Sequence, residues 1–221
     1  MLFDLRHRGR RRTVQVVYLG LAVLMGGGLI LFGVGSGTSG GGLLNGLTGN
    51  GSGSAQGQVV SQQEKAALKQ TKLTPNNPNA WAALVSARWE SASSGSDFNS
   101  TTSTFTANGI KELGATTDAW TRYLQLVKKP DPNLAILAAE AYGRLGNYPG
   151  EASAWEIQAA ANPNVARGYE CLAASAYAAK QTRKGDLALT KALTLVPKLS
   201  RANLKTEIES AKTTPSIAQS C

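Results

Sequence analysis

After His7 the chain contains no histidine, and it has only two cysteines, Cys171 and Cys221. The first absence removes the commonest general base, triad member and metal ligand from everything beyond an N-terminal arginine cluster. The second leaves no tetrahedral metal-ligand spacing. Carboxylates such as Glu112, Asp118, Glu140, Glu151 and Glu156 are scattered among lysines and arginines on helical segments, which is the pattern of solvated helix faces. The glycine-rich stretches lack the preceding strand and following lysine that a phosphate loop requires. The sequence therefore offers no catalytic residue, no cofactor site and no metal site.

Charge is absent from Thr13 to Gln63, directly after Arg6, Arg8, Arg10, Arg11 and Arg12. Val14 to Val34 is almost entirely apolar or glycine, and 21 residues at the helical rise span roughly 31 Å, one hydrocarbon core. This predicts a single transmembrane helix over residues 13–34, preceded by a basic cytoplasmic tail over 1–12. Arginine on one flank only places the N-terminus in the cytoplasm and the rest of the chain outside. The segment also reads as a cleavable signal peptide, but the apolar run is too long and no Ala-x-Ala site follows, which favours a signal anchor in the cell membrane. Ala22 and Gly26 form a small-xxx-small pair able to seat a second helix, so a homo-oligomer built through the span, with the outer domain as spacer, is an alternative reading.

The formal charge is +9, but five arginines and one aspartate in the tail account for +4 of it. The remainder is spread without a patch, so no nucleic-acid partner is expected. Residues 35–57 (GSGTSGGGLLNGLTGNGSGSAQG) have too little apolar area to fold and should act as a flexible linker, spanning roughly 25–30 Å on average.

From Val59 the composition turns to helix formers. A leading helix, Val59 to Leu73, stops before Pro75; Asn77-Pro78 then opens a second with Trp81, Leu84, Val85 and Trp89 on one face. Ser93 to Thr106 is a polar inserted loop anchored by Phe98 and Phe105. Helicity resumes near Ala107 and ends at Lys128-Lys129-Pro130. Asn133 to Pro163 and Asn164 to Pro197 each read as two alanine-rich helices closed by proline, and Pro163 to Pro197 is a 34-residue unit. Each pair can bury its apolar face only on the next one. Trp81, Trp89, Trp120 and Trp155 lie at helical spacing with alanine or leucine, which makes them core residues rather than ligand platforms.

Pro75, Trp81 and Leu84, then Tyr142, Leu145-Gly146, Tyr148 and Glu151-Ala152, and finally Leu172, Ala192 and Pro197 resemble the tetratricopeptide repeat (TPR) family. The order of anchor, linker and repeats is similar to membrane-anchored bacterial TPR proteins. The resemblance implies an all-α solenoid over residues 58–212, about three helix pairs with flanking helices; residues 213–221 are expected to be a disordered tail. The resemblance also implies that first helices line a peptide groove, putting Asn79, Ser86, Asn133, Glu140, Arg144, Arg167 and Glu170 at a protein-binding face. The expected partners are other proteins or peptide segments through the repeats, and the membrane through residues 14–34. The expected role is a scaffold or an export- or envelope-linked chaperone; an envelope enzyme is the least favoured reading. A Cys171–Cys221 disulfide is chemically permitted outside the cell, but Cys171 among helical apolar residues reads as a buried thiol and Cys221 as the end of a frayed tail.

Overall fold

The computed structural model describes residues 54–221. Among them, eight α-helices pack as sequential antiparallel pairs, each against its neighbours in the chain. The helices are α1 (Ser54–Leu73), α2 (Pro78–Ala92), α3 (Ala107–Leu126), α4 (Pro132–Arg144), α5 (Tyr148–Ala161), α6 (Ala166–Ala178), α7 (Thr182–Leu195) and α8 (Arg201–Ser210). Short 3₁₀ segments run over Lys198–Ser200 and Pro215–Ser220. The expected membrane span and nearly all of the expected linker lie outside the described residues; none of the described helices is long and apolar enough to cross a membrane.

Three helix starts follow from capping chemistry together with proline. Asn77, Asp131 and Asn147 each accept a backbone N–H of the first turn, from Asn79, Asn133 and Gly150, and each stands within two residues of a proline inside that turn. Such a side chain satisfies one donor that the helix cannot, while proline lacks the N–H that would be orphaned there. Helix α1 includes residues 54–57, which were assigned above to the linker. Once the turns carrying Val60, Ala67 and Thr71 are packed, extending a helix adds a hydrogen bond per residue, and a lone Gly57 costs only about 1 kcal/mol.

The core is built from small residues. Ala135, Ala138, Ala139, Ala152, Ala173, Ala176 and Ala192 are all completely buried. Alanine on facing helices lets the axes approach closely, and the remaining volume is filled by Leu84, Trp120, Trp155 and Leu172. Trp120 stacks on Tyr123 at 5.4 Å between ring centroids, and the Tyr123 hydroxyl accepts the Asp131 N–H, fixing the entry to α4. Trp81 and Trp89 are only half-buried; the Trp81 indole donates to the Pro75 carbonyl at 2.8 Å.

The loop between α2 and α3 is more ordered than a polar excursion. It forms a two-stranded hairpin, β1 (Phe98–Asn99) with β2 (Thr104–Phe105), in which Phe98 pairs with Phe105. Phe105 packs with Trp89 and Leu145 over a second small core of Ala92, Leu113 and Ala141. Gly109 is required beneath it, since a Cβ there would lie 2.4 Å from the Asp97 carbonyl oxygen.

The 34-residue repeat is visible in how side chains fill one slot. In the α4–α5 pair, Gly143 leaves room for the Glu151 carboxyl; 34 residues on, Tyr177 and Gly185 occupy the same two positions with the sizes exchanged. A Cβ on Gly185 would lie 2.4 Å from the Tyr177 ring. Gly185 thus stands 34 residues on from Glu151 and leaves the slot to the Tyr177 ring.

Candidate functional site

The first helices of the second and third pairs, α4 and α6, carry five of the seven residues expected at the groove. Glu140 is half-buried, and burial raises its pKa, opposed by the positive charges of Arg144 and Arg167. Arg167 also faces Glu170 at 4.0 Å along α6. Glu140, Arg144, Arg167 and Glu170 therefore form one mixed-charge group across two helices. Arg144 extends the other way as well, lying 5.9 Å over the Phe105 ring of the hairpin. Asn79 and Asn133 are exposed at the starts of α2 and α4, with their N–H groups committed to Asn77 and Asp131. Ser86 is half-buried midway along α2. These last three do not join the charged group through any hydrogen bond among the described residues.

The segment expected to be disordered, 213–221, is instead docked on this face. Its 3₁₀ turn packs on α6, α4 and α8. Ala218 is completely buried, and Ile217 and Cys221 pack against the main core. Arg167 donates to the main-chain oxygens of Ser220 and Cys221 at 3.1 and 2.9 Å, and the Gln219 amide reaches the Tyr148 hydroxyl at 3.4 Å. Cys221 is bonded to Cys171, with Cα atoms 5.5 Å apart and a separation of 50 positions in sequence. The readings of Cys171 as a free thiol and of Cys221 as a frayed end are corrected: Cys171 is buried, and it is bonded to a docked Cys221. Tyr148 and the tail residues were not among those expected here. The signal that could have found them was the second cysteine, whose only possible intrachain partner is Cys171.

A buried polar row lies behind this face, on α5. Glu151, Trp155 and Gln158 are each no more than 9% exposed, and the Glu151 Oε2, Trp155 Nε1 and Gln158 Oε1 atoms have no hydrogen-bond partner among the described residues. Burial pushes the Glu151 carboxyl up to about 8, against the lowering effect of the Trp155 indole and Arg144. Gly168 makes room for Gln158 as Gly143 does for Glu151.

Two other features lie apart from the tail. A hollow of about 620 Å³ beside α6 and α7 is lined by Tyr169, Leu172, Leu187 and Ala188, with the Lys184–Glu156 ion pair at 2.7 Å on its wall. Its lining is largely apolar. Carboxyls do converge elsewhere: Glu64 and Glu112 approach Arg88, which faces Glu64 at 3.8 Å and donates to the Ala115 carbonyl at 2.8 Å. Burial first, and Glu64 second, raise the Glu112 pKa. Spanning α1, α2 and α3, this group acts as a strut, and it is not part of the hollow.

Comparison of the chain with protein-family models, curated proteins and solved structures returned no match.

Proposed function

We propose that this is a membrane-anchored, TPR-like module that binds other proteins through peptide segments, with its helical domain on the outer side of the membrane. The observation that carries the reading is the docked tail: a stretch of polypeptide lies across the first-helix face, its main-chain oxygens held by Arg167. A face that accommodates one short peptide in this way has the chemistry to accommodate another, through main-chain hydrogen bonds and a small apolar anchor. The uncharged run after Arg12 supports the anchor, and the Cys171–Cys221 bond is consistent with an oxidising, extracytoplasmic side. The lack of any histidine beyond position 7 favours binding over catalysis as the role.

Photoreactive side chains placed at Glu140 and Glu170 of the full-length, membrane-inserted protein provide the test. Crosslinks from both positions to the same partner protein, lost when Arg167 is changed to Glu, are the expected result. Partners that co-purify equally with the intact chain and with a chain lacking residues 59–211 would overturn it. Sidedness is checked separately: protease added to intact cells should cleave the helical domain, and cleavage only after the cytoplasm is exposed would place the domain on the wrong side.

A further inference from the structure

The docked tail is held by one covalent bond and little else. Ala218 is the single fully buried side chain between Thr213 and Cys221; Thr213, Thr214, Pro215, Ser216 and Ser220 are exposed. Its hydrogen bonds to the rest of the molecule come from Arg167, itself exposed, and from Gln219 at the long distance of 3.4 Å. Exposed charged contacts contribute little, and burying one alanine with part of an isoleucine is set against fixing the backbone of every residue from 214 to 221. The non-covalent contacts are few beside the backbone entropy that ordering the segment costs. The Cys171–Cys221 bond holds it, by keeping the two ends together across 50 residues of chain.

We propose that the tail is a redox-released occupant of the α4–α6 face. In the oxidised chain residues 214–221 cover it; when a dithiol reduces the bond, the tail leaves, and the uncovered face takes a short peptide carrying a small apolar side chain. Arg167 receives that peptide's main-chain oxygens as it receives those of Ser220 and Cys221. This deepens the peptide-binding reading by naming what controls access to the face. Reduction proceeds from the outer sulfur: Cys171 is completely buried while Cys221 is partly exposed, so a thiolate of the reductant attacks Cys221 Sγ. The S–S bond breaks, Cys171 departs as a thiolate and takes a proton, and a mixed disulfide forms at Cys221. The second thiol of the reductant resolves it, leaving two protein thiols and an oxidised dithiol.

The test is made on the full chain in detergent with no partner present, so that its failure is distinct from a failure to find partners. After reduction with dithiothreitol, alkylation of Cys171 is timed and mapped by mass spectrometry, beside amide exchange in α4. Tail release by local opening predicts alkylation at least about 100-fold faster than exchange of the α4 core amides, with further acceleration in Ile217→Asp. Alkylation no faster than α4 exchange would mean that the tail is fixed core, and would overturn the proposal. Cys221→Ser supplies a second route to the released state. A photoreactive peptide of sequence TTPSIAQS should label α4 and α6 in that variant and not in the oxidised chain; equal labelling of both, or none in the variant, would overturn the peptide assignment.

Discussion

Glu151 is a carboxyl almost without water, 1% exposed, in a slot that the next pair fills with a phenol ring. Its pKa rises from an ordinary 4.5 to about 8 in the folded chain. Between those values the native state holds a proton that the unfolded state has lost, so stability from this group is complete below about pH 4.5, declines as pH rises through the window, and is gone above about 8. Glu140 and Glu112, also raised by burial, act with the same sign. Glu151→Gln keeps the volume and removes the proton, and urea unfolding should show a flatter pH profile with a gain on the order of 2–4 kcal/mol at pH 8. An unchanged slope would assign the dependence to the other carboxyls. Glycines at two positions should respond in opposite directions. Gly185→Ala places a methyl against the Tyr177 ring and should lose about 1–3 kcal/mol in spite of better helix propensity. Gly114→Ala, inside α3 with open space around its Cβ, should gain about 0.5–1 kcal/mol, and thermal melts of the two variants compare them directly.

Individual helices differ in how plainly their ends are written. Asn77-Pro78 marked a helix start in the sequence, and in the structure Asn77, Asp131 and Asn147 each cap a helix with proline in its first turn. Asp131→Ala should therefore cost about 1 kcal/mol in denaturant unfolding, and Asp131→Asn should recover most of it. Helices α6 and α7 have no side-chain cap, and there the apolar period and the closing Pro163 and Pro197 were the legible signals. Phe98 and Phe105 stood out as the anchors of a polar loop, yet nothing local announced that they would face each other at 4.9 Å across a hairpin. The tail was misread for a related reason. TTPSIAQS has neither helical nor strand period, and its order comes from Arg167 and Cys171, about 50 residues away, where a local pattern carries no information. On the first-helix face, the resemblance to helical repeats was what singled out Glu140, Arg144, Arg167 and Glu170, which lie on α4 and α6. Their mutual charges were legible, and the peptide lying beside them was not.

At the scale of the whole molecule, packing between sequence neighbours makes stability a sum of pair and interface terms, so damage should stay near its source. Val85→Ala, in the fully buried middle of α2, should raise hydrogen exchange most in α1 to α3 and least in α6, a gradient that exchange mass spectrometry resolves. Removal of residues 1–34 should leave a helical protein by circular dichroism that no longer sediments with membranes; persistent sedimentation would shift the membrane contact to the helical domain. The bond between Cys171 and Cys221 also sets a path for mechanical load. Tension applied between α1 and Cys221 would pass from α6 through two sulfur atoms, leaving residues 172–220 out of the line of force. Helices α7 and α8 would hang slack while the earlier pairs stretched. Cutting the bond would place them in series, adding 49 residues of extensible chain.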